Sequence, residues 1–203
     1  MPILAAEPMV YPDDLFVESR ANEPVNRDDS ARWWVAHTKP RQEKALARHL
    51  RTNEVSYFLP QYEKTMRRQR NLFRSWNILF PGYVFILCDD EARGEALKSH
   101  RIAGLLAVPE PGELELDLQR VYRIVSSNLP LFPEDRLVNG TRVRMVHGPL
   151  KGLYGVIEER RGQHRFVITV SFIRQGVSAE VEARDIEPLL DDAAPVEPSR
   201  ATA

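Results

Sequence analysis

Five histidines, His37, His49, His100, His147 and His164, one cysteine, Cys88, and the carboxylate run Asp89, Asp90 and Glu91 are the side chains best able to bind a metal or move a proton. Their spacing argues against both. The histidines fall on separate elements without a His or Cys partner at ligand spacing, so no zinc site is expected. The carboxylates directly precede a helical stretch, where the N-terminal end of a helix favours negative charge. No serine sits in G-x-S-x-G and no lysine in a Walker A loop. A binding protein with no cofactor is the expected class, and an enzyme whose carboxylates converge from distant positions is its competitor.

What the sequence does concentrate is positive charge. Residues 32–76 hold 11 basic and 3 acidic side chains, net +8, although the whole chain is at −1. Residues 1–31 stand at −5, 77–138 at −4, 139–190 at +2 and 191–203 at −2. Such asymmetry is the electrostatic footprint of a nucleic-acid binder, or else a solvated face that happens to be basic. Within it MRRQRNLFRSW interleaves Arg67, Arg68, Arg70 and Arg74 with Phe73 and Trp76. As a hairpin tip this suits a phosphate backbone, with rings free to stack on bases. The alternative is a solvated loop whose aromatics turn inward.

The element that must position these groups is LFPGYVFIL, Leu79–Leu87. Alternation puts Phe80, Gly82, Val84 and Ile86 on one face and Pro81, Tyr83, Phe85 and Leu87 on the other, apolar on both. Such a strand is either covered twice or covered once and kept for a partner. Before it, WWVAHT from Arg32 reads as a strand, PRQEKALARHLRTN as a helix capped by Thr38 with Pro40 in its first turn, and Val55–Leu59 and Gln61–Met66 as two more strands. After it come a helix over Ala92–His100, a strand over Ile102–Val108, a loop or hairpin at PEPGELE, and a helix capped by Asp117. This order predicts an α+β domain over 32–125, an antiparallel sheet with helices packed on it.

Residues 1–31, acidic and with four prolines, read as a disordered tail, 126–139 as a linker and 191–203 as a second acidic tail. Between the last two, residues 140–190 read as a small closed β-barrel with strands at Thr141–Val146, Gly155–Glu159, Arg165–Phe172 and Ser178–Ala183. With 43% hydrophobic and 28% charged residues the chain fits the globular class. No apolar run spans a bilayer and the N-terminus lacks a signal-peptide pattern. A single cysteine excludes an internal disulfide, so a cytoplasmic protein, monomeric and away from membranes, is expected.

Two runs then resemble one family. W-W-V-A-H-T-K-P-R-Q-E-K at Trp33–Lys44 and L-F-P-G-Y-V-F at Leu79–Phe85 are similar to the N-terminal (NGN) domain of NusG proteins, and T-R-V-R-M-V-H-G-P-L-K-G-L-Y-G-V at Thr141–Val156 resembles a KOW motif. The resemblance covers about residues 32–189 and implies a ferredoxin-like NGN domain, a KOW barrel and a transcription elongation or antitermination factor. On it, His37, Tyr83 and Phe85 correspond to the hydrophobic patch that docks on the clamp helices of the RNA polymerase β′ subunit. Because H-T-K-P-R-Q-E-K lacks the S-G-x-E run of housekeeping NusG, the sequence looks more like RfaH-type paralogues. Lys39, Gln42 and His49 fall where those proteins meet the non-template DNA strand, with Arg101 a further candidate. R-G-E-A at Arg93–Ala96 replaces their His-Thr-Thr-Thr run, so a contact with the β gate loop does not carry over. Ile173, in V-S-F-I-R-Q, replaces an aromatic residue; it suits the ribosomal protein partner NusE and leaves binding to termination factor Rho unsupported. A ribosome-associated or RNA-binding KOW protein that never meets the polymerase is the alternative.

Overall fold

The computed structural model describes residues 7–16, 31–68, 71–135, 140–160 and 162–189. In chain order the elements are β1 (Val10–Tyr11), β2 (Arg32–Thr38), α1 (Glu43–Thr52), β3 (Ser56–Phe58), β4 (Gln61–Arg68), β5 (Asn71–Ile78), β6 (Tyr83–Cys88), α2 (Asp90–Lys98), β7 (Ile102–Ala107) and α3 (Pro111–Val125). The C-terminal part adds β8 (Leu131–Glu134), β9 (Thr141–Met145), β10 (Tyr154–Arg160), β11 (Gln163–Val170), β12 (Gln175–Val181) and β13 (Ile186–Pro188). The expected α+β architecture is present. The first sheet has the order β1-β3-β6-β2-β7, antiparallel throughout, and its last four strands with α1 and α2 form the two interleaved βαβ units of a ferredoxin-like fold.

Strand β6 lies at the centre because both of its faces are apolar. Val84, Ile86 and Cys88 pack with Trp34, Ala36, Tyr57 and the α1 residues Leu46, Ala47 and Leu50. Phe85 and Leu87 pack on the opposite face with Trp33, Val35, Phe58 and the α3 residues Leu114, Leu118, Val121 and Ile124. Of the two readings of this strand, double coverage holds for Phe85 and everything after it. The strand begins only at Tyr83, since Phe80–Tyr83 is a tight turn: Tyr83 N donates to Phe80 O (3.1 Å), with Pro81 and Gly82 (φ +86°) at its centre. Gly82 supplies the positive φ that a type II turn needs after a proline. The turn also breaks the alternation, so Phe80 joins Phe85 in the α3-side core.

Several boundaries differ from the sequence reading. Part of the stretch read as a disordered tail is an ordered strap: Val10 and Tyr11 pair with Phe58 and Tyr57, and Leu15 and Phe16 are buried. Glu7 anchors it, with Arg48 and Arg51 each 2.9 Å from its carboxylate. Thr38 belongs to β2 rather than capping α1, which starts at Glu43, after Pro40. PEPGELE is helical from Pro111, which occupies the first position of α3, where a missing N–H costs nothing. Asp117 therefore lies in mid-helix. The linker contributes β8, which pairs with β12 and buries Glu134; Ser178 Oγ donates to Glu134 Oε1 (2.6 Å) and Arg160 lies 3.2 Å from Oε2.

The second sheet has the order β13-β9-β10-β11-β12-β8 around Val143, Phe166, Ile168, Val170 and Val177. Among the described residues no ladder joins its two end strands, and the sheet is compatible with the small β domain expected over 140–190. Helix α3 lies between the two sheets. Its Tyr122 ring packs tilted against Phe16 of the strap and edge-on to Phe58 of the first sheet (centroids 5.1 and 6.1 Å). On the other side Asp117 Oδ2 accepts the Ser171 N–H (2.9 Å), and Arg123 donates to Lys151 O (2.8 Å).

Candidate functional site

Helix α3 stops short of one end of the sheet it covers. There the pairing His37↔Tyr83 across β2 and β6 and His37↔Gly104 across β2 and β7 forms a row beyond the buried Phe85–Val35 row. His37 is exposed and Tyr83 half-buried, their ring centroids 5.5 Å apart at 45°. Leu106, opposite buried Val35 on β7, is 42% exposed on the same face. An imidazole, a phenol and a leucine beside a small glycine make an amphipathic patch suited to a protein partner.

The turn entering β6 fixes this patch. Gly82 N donates to the buried carboxylate Glu43 Oε1 on α1 (2.8 Å), and Thr38 N donates to Gly82 O (2.8 Å). Leu106, on this face, and Glu43, beneath the turn, are positions that the sequence reading did not single out. The apolar dipeptide in IAGLLA was the available signal for Leu106; nothing local marks Glu43, whose partner is 39 residues away.

Phe85 does not reach this surface. Its ring is 0% exposed, edge-on to Phe80 (6.1 Å, 89°) and near Phe58 (6.3 Å). In this arrangement it supports β6 from beneath and offers nothing to a partner.

Three of the polar candidates do converge. Lys39 Nζ donates to His100 O (2.7 Å), Lys39 N donates to Arg101 O (2.8 Å), and the Arg101 guanidinium donates to the Gln42 side-chain oxygen. The end of β2, the entry to α1 and the start of β7 thus bring Lys39, Gln42 and Arg101 together, with exposed His100 and Arg41 beside them, both at positive φ. His49 lies two turns along the same face of α1, its Nε2 3.0 Å from Glu95 O on α2. Its ring is spent on holding the two helices together.

The hairpin candidates sit elsewhere, on the separate two-stranded ribbon β4–β5. Arg67 and Arg68 pair with Leu72 and Asn71 at its far end, and Arg70 falls outside the described residues. Arg74 is exposed and 3.2 Å from Glu63. Ile173 is half-buried in the Ser171–Ile173 turn, and its neighbour Phe172 lines a cavity with Val108, Glu113, Leu114 and Asp117.

The carboxylates Asp89, Asp90 and Glu91 open α2 as expected, Asp89 Oδ1 accepting the Ala92 N–H (2.8 Å). Among the described residues no cluster of His, Cys, Asp and Glu could hold a metal ion, and no helix is long and apolar enough to cross a membrane.

An aromatic patch at one end of a ferredoxin-like sheet thus lies beside the cluster of Lys39, Gln42 and Arg101, and a second, small β domain follows in the chain. A family model described as transcription termination factor nusG matches residues 31–139, just over half of the chain. The chain belongs to the NusG family, whose members are non-enzymatic transcription elongation factors that bind RNA polymerase. A comparison with characterised proteins gives no match.

Proposed function

We propose that the chain docks on the β′ clamp helices of RNA polymerase through His37 and Tyr83, with Leu106 beside them, and suppresses pausing and termination. The observation that carries this is the exposed His37–Tyr83 pair, left bare where α3 ends, within a domain of the NusG family. No bond is made or broken; binding the moving form of the polymerase more tightly than the paused form shifts the population between them. Lys39, Gln42 and Arg101 contact the non-template strand next to this patch, and the ribbon arginines contribute further phosphate contacts. His49 holds α1 in place for them. NusE is recruited through Ile173, which requires the Ser171–Ile173 turn to leave α3.

The test is capture of core RNA polymerase by the full chain, wild type against the His37→Ala, Tyr83→Ala double variant. A loss of at least tenfold in affinity with an unchanged unfolding midpoint is expected, as for the central residues of an interface. Undiminished capture by the folded double variant rejects the patch.

A further inference from the structure

Helix α3 and the second sheet do not close on each other completely. A cleft of about 200 Å³ remains between them, walled by Asp117 and Arg120 from the helix and by Arg142, Tyr154, Thr169 and Ser171 from the sheet side. Arg142, Val156 and Val167 form one row across β9, β10 and β11, and Thr169 lies two residues further along the same face. The space is several times the ~30 Å³ that one water takes up in the liquid. The charges around it do not balance, since two guanidinium groups meet one carboxylate and no other charged side chain lines the cleft. Among the described residues Arg142, exposed on β9, makes no ion pair, whereas Arg144 on the same strand is paired with Glu187 at 2.6 Å. Arg120 has donors to spare: one nitrogen reaches Asp117 Oδ1 (3.3 Å), and its Nε has no acceptor. Both oxygens of Asp117 are already engaged, Oδ1 by Arg120 and Oδ2 by the Ser171 N–H (2.9 Å).

We propose that this cleft binds a phosphate group, free or on a small molecule, gripped by Arg142 from the second sheet and Arg120 from α3. Guanidinium groups only donate hydrogen bonds, so their ligand must accept them, and their planar fork matches the oxygens of phosphate. Thr169 brings a hydroxyl donor to the same wall. The uncompensated positive charge gives an anion its preference over water. Because the two arginines come from different halves of the chain, the bound anion ties α3 to the second sheet. By linkage it must then stabilise their contact. The site is independent of the polymerase reading and shares no residue with the His37–Tyr83 patch.

The experiment is calorimetric titration of the full chain with inorganic phosphate, and with glycerol phosphate, at constant ionic strength. One equivalent should bind in the millimolar range or tighter, and the preferred arm shows whether the free or the esterified group is the ligand. Arg142→Ala, at an exposed position, should keep the unfolding midpoint and weaken binding about tenfold, the loss of one charge-assisted contact. Arg120→Lys keeps the charge beside Asp117 without the fork and should weaken it as well. Arg184→Ala, which removes an exposed cation paired with Glu182 outside the cleft, should leave binding unchanged. Exchange of the Ser171 amide is the second readout, and phosphate at ten times its Kd should slow it about tenfold. Equal losses in Arg142→Ala and Arg184→Ala, or equal binding of chloride, would reduce the effect to general counter-ion attraction and overturn the site. So would the absence of saturable binding by the wild-type chain. Binding that leaves Ser171 exchange unchanged overturns the bridge between the halves.

Discussion

Replacing Phe85 by alanine tests whether the central strand works from its surface or from its core. The ring is fully enclosed between Phe58, Phe80 and α3, so its removal leaves a cavity that the packed sheet and helix cannot close. Deletions of this kind cost about 3–5 kcal/mol. The edge-on pair with Phe80 accounts for roughly 0.5–1.5 of that. Set against a typical domain stability of about 5–15 kcal/mol, this is about a fifth or more of the total. Tyr83→Ala, two positions away, removes a half-buried ring that lies against an exposed histidine, and a cost near 1 kcal/mol is expected. Urea unfolding followed by the fluorescence of Trp33 and Trp34, both buried in this sheet, separates the two cases. The midpoint should drop sharply for Phe85→Ala at unchanged slope and barely move for Tyr83→Ala, which nonetheless loses polymerase. A Phe85→Ala protein with the wild-type midpoint and no polymerase binding would refute the reasoning, because the ring would then be acting at the surface.

Two further predictions concern the contact between the halves. Burial raises the pKa of Asp117 above the ordinary carboxylate range, against the lowering effect of the Ser171 N–H and Arg120. A raised folded-state pKa means that its contribution to docking is complete below the unfolded value and is lost as pH rises through the folded one. Packing of α3 on the second sheet should therefore tighten on acidification through the carboxylate range, read from protection of the Ser171 amide against exchange. Asp117→Asn keeps an acceptor without the charge and should flatten that dependence; an unchanged profile would assign it to other groups. In the second sheet, a Cβ on Gly155 would lie 2.6 Å from Phe166 Cε2 and 2.7 Å from the Val167 carbonyl. Because backbone cannot yield as a side chain does, Gly155→Ala should destabilise that sheet by about 1–3 kcal/mol, and a wild-type melting curve would contradict it.

The parts of the fold legible in the sequence are those where one residue pattern has one outcome. The two-sided apolar run Val84–Leu87 marks a strand, although one or two covered faces stayed open for it, and the amphipathic run PRQEKALARHLRTN marks a helix. Where a signal has two outcomes, tertiary context decided. Pro111 and Gly112 read as loop punctuation, but a proline also starts helices, and the apolar face beginning at Leu114 was waiting for one. The strap was hidden by its prolines and acidic neighbours. Its legible parts are two short apolar pairs, Val10–Tyr11 and Leu15–Phe16, too brief to carry a period.

Charge shows the same limit and narrows the candidate site. Counted along the chain, residues 32–76 look like one basic surface. In space much of that charge is already engaged: Arg48 and Arg51 by Glu7, Arg32 by Asp90 at 3.6 Å, Arg74 by Glu63, and Lys44 by a backbone carbonyl. Glu7 and Asp90 lie outside the window in which the excess was counted, so segment totals could not reveal the neutralisation. The cluster at the open end of the sheet is assembled the opposite way, Arg101 coming from a segment that is acidic overall to join Lys39 and Gln42. The exposed pairs Arg32–Asp90 and Arg74–Glu63 are worth little and open readily to a phosphate. The affinity of the chain for nucleic acid should accordingly follow the few cations at the patch and along the ribbon, and a salt slope near the full count of 11 basic residues would contradict this partition.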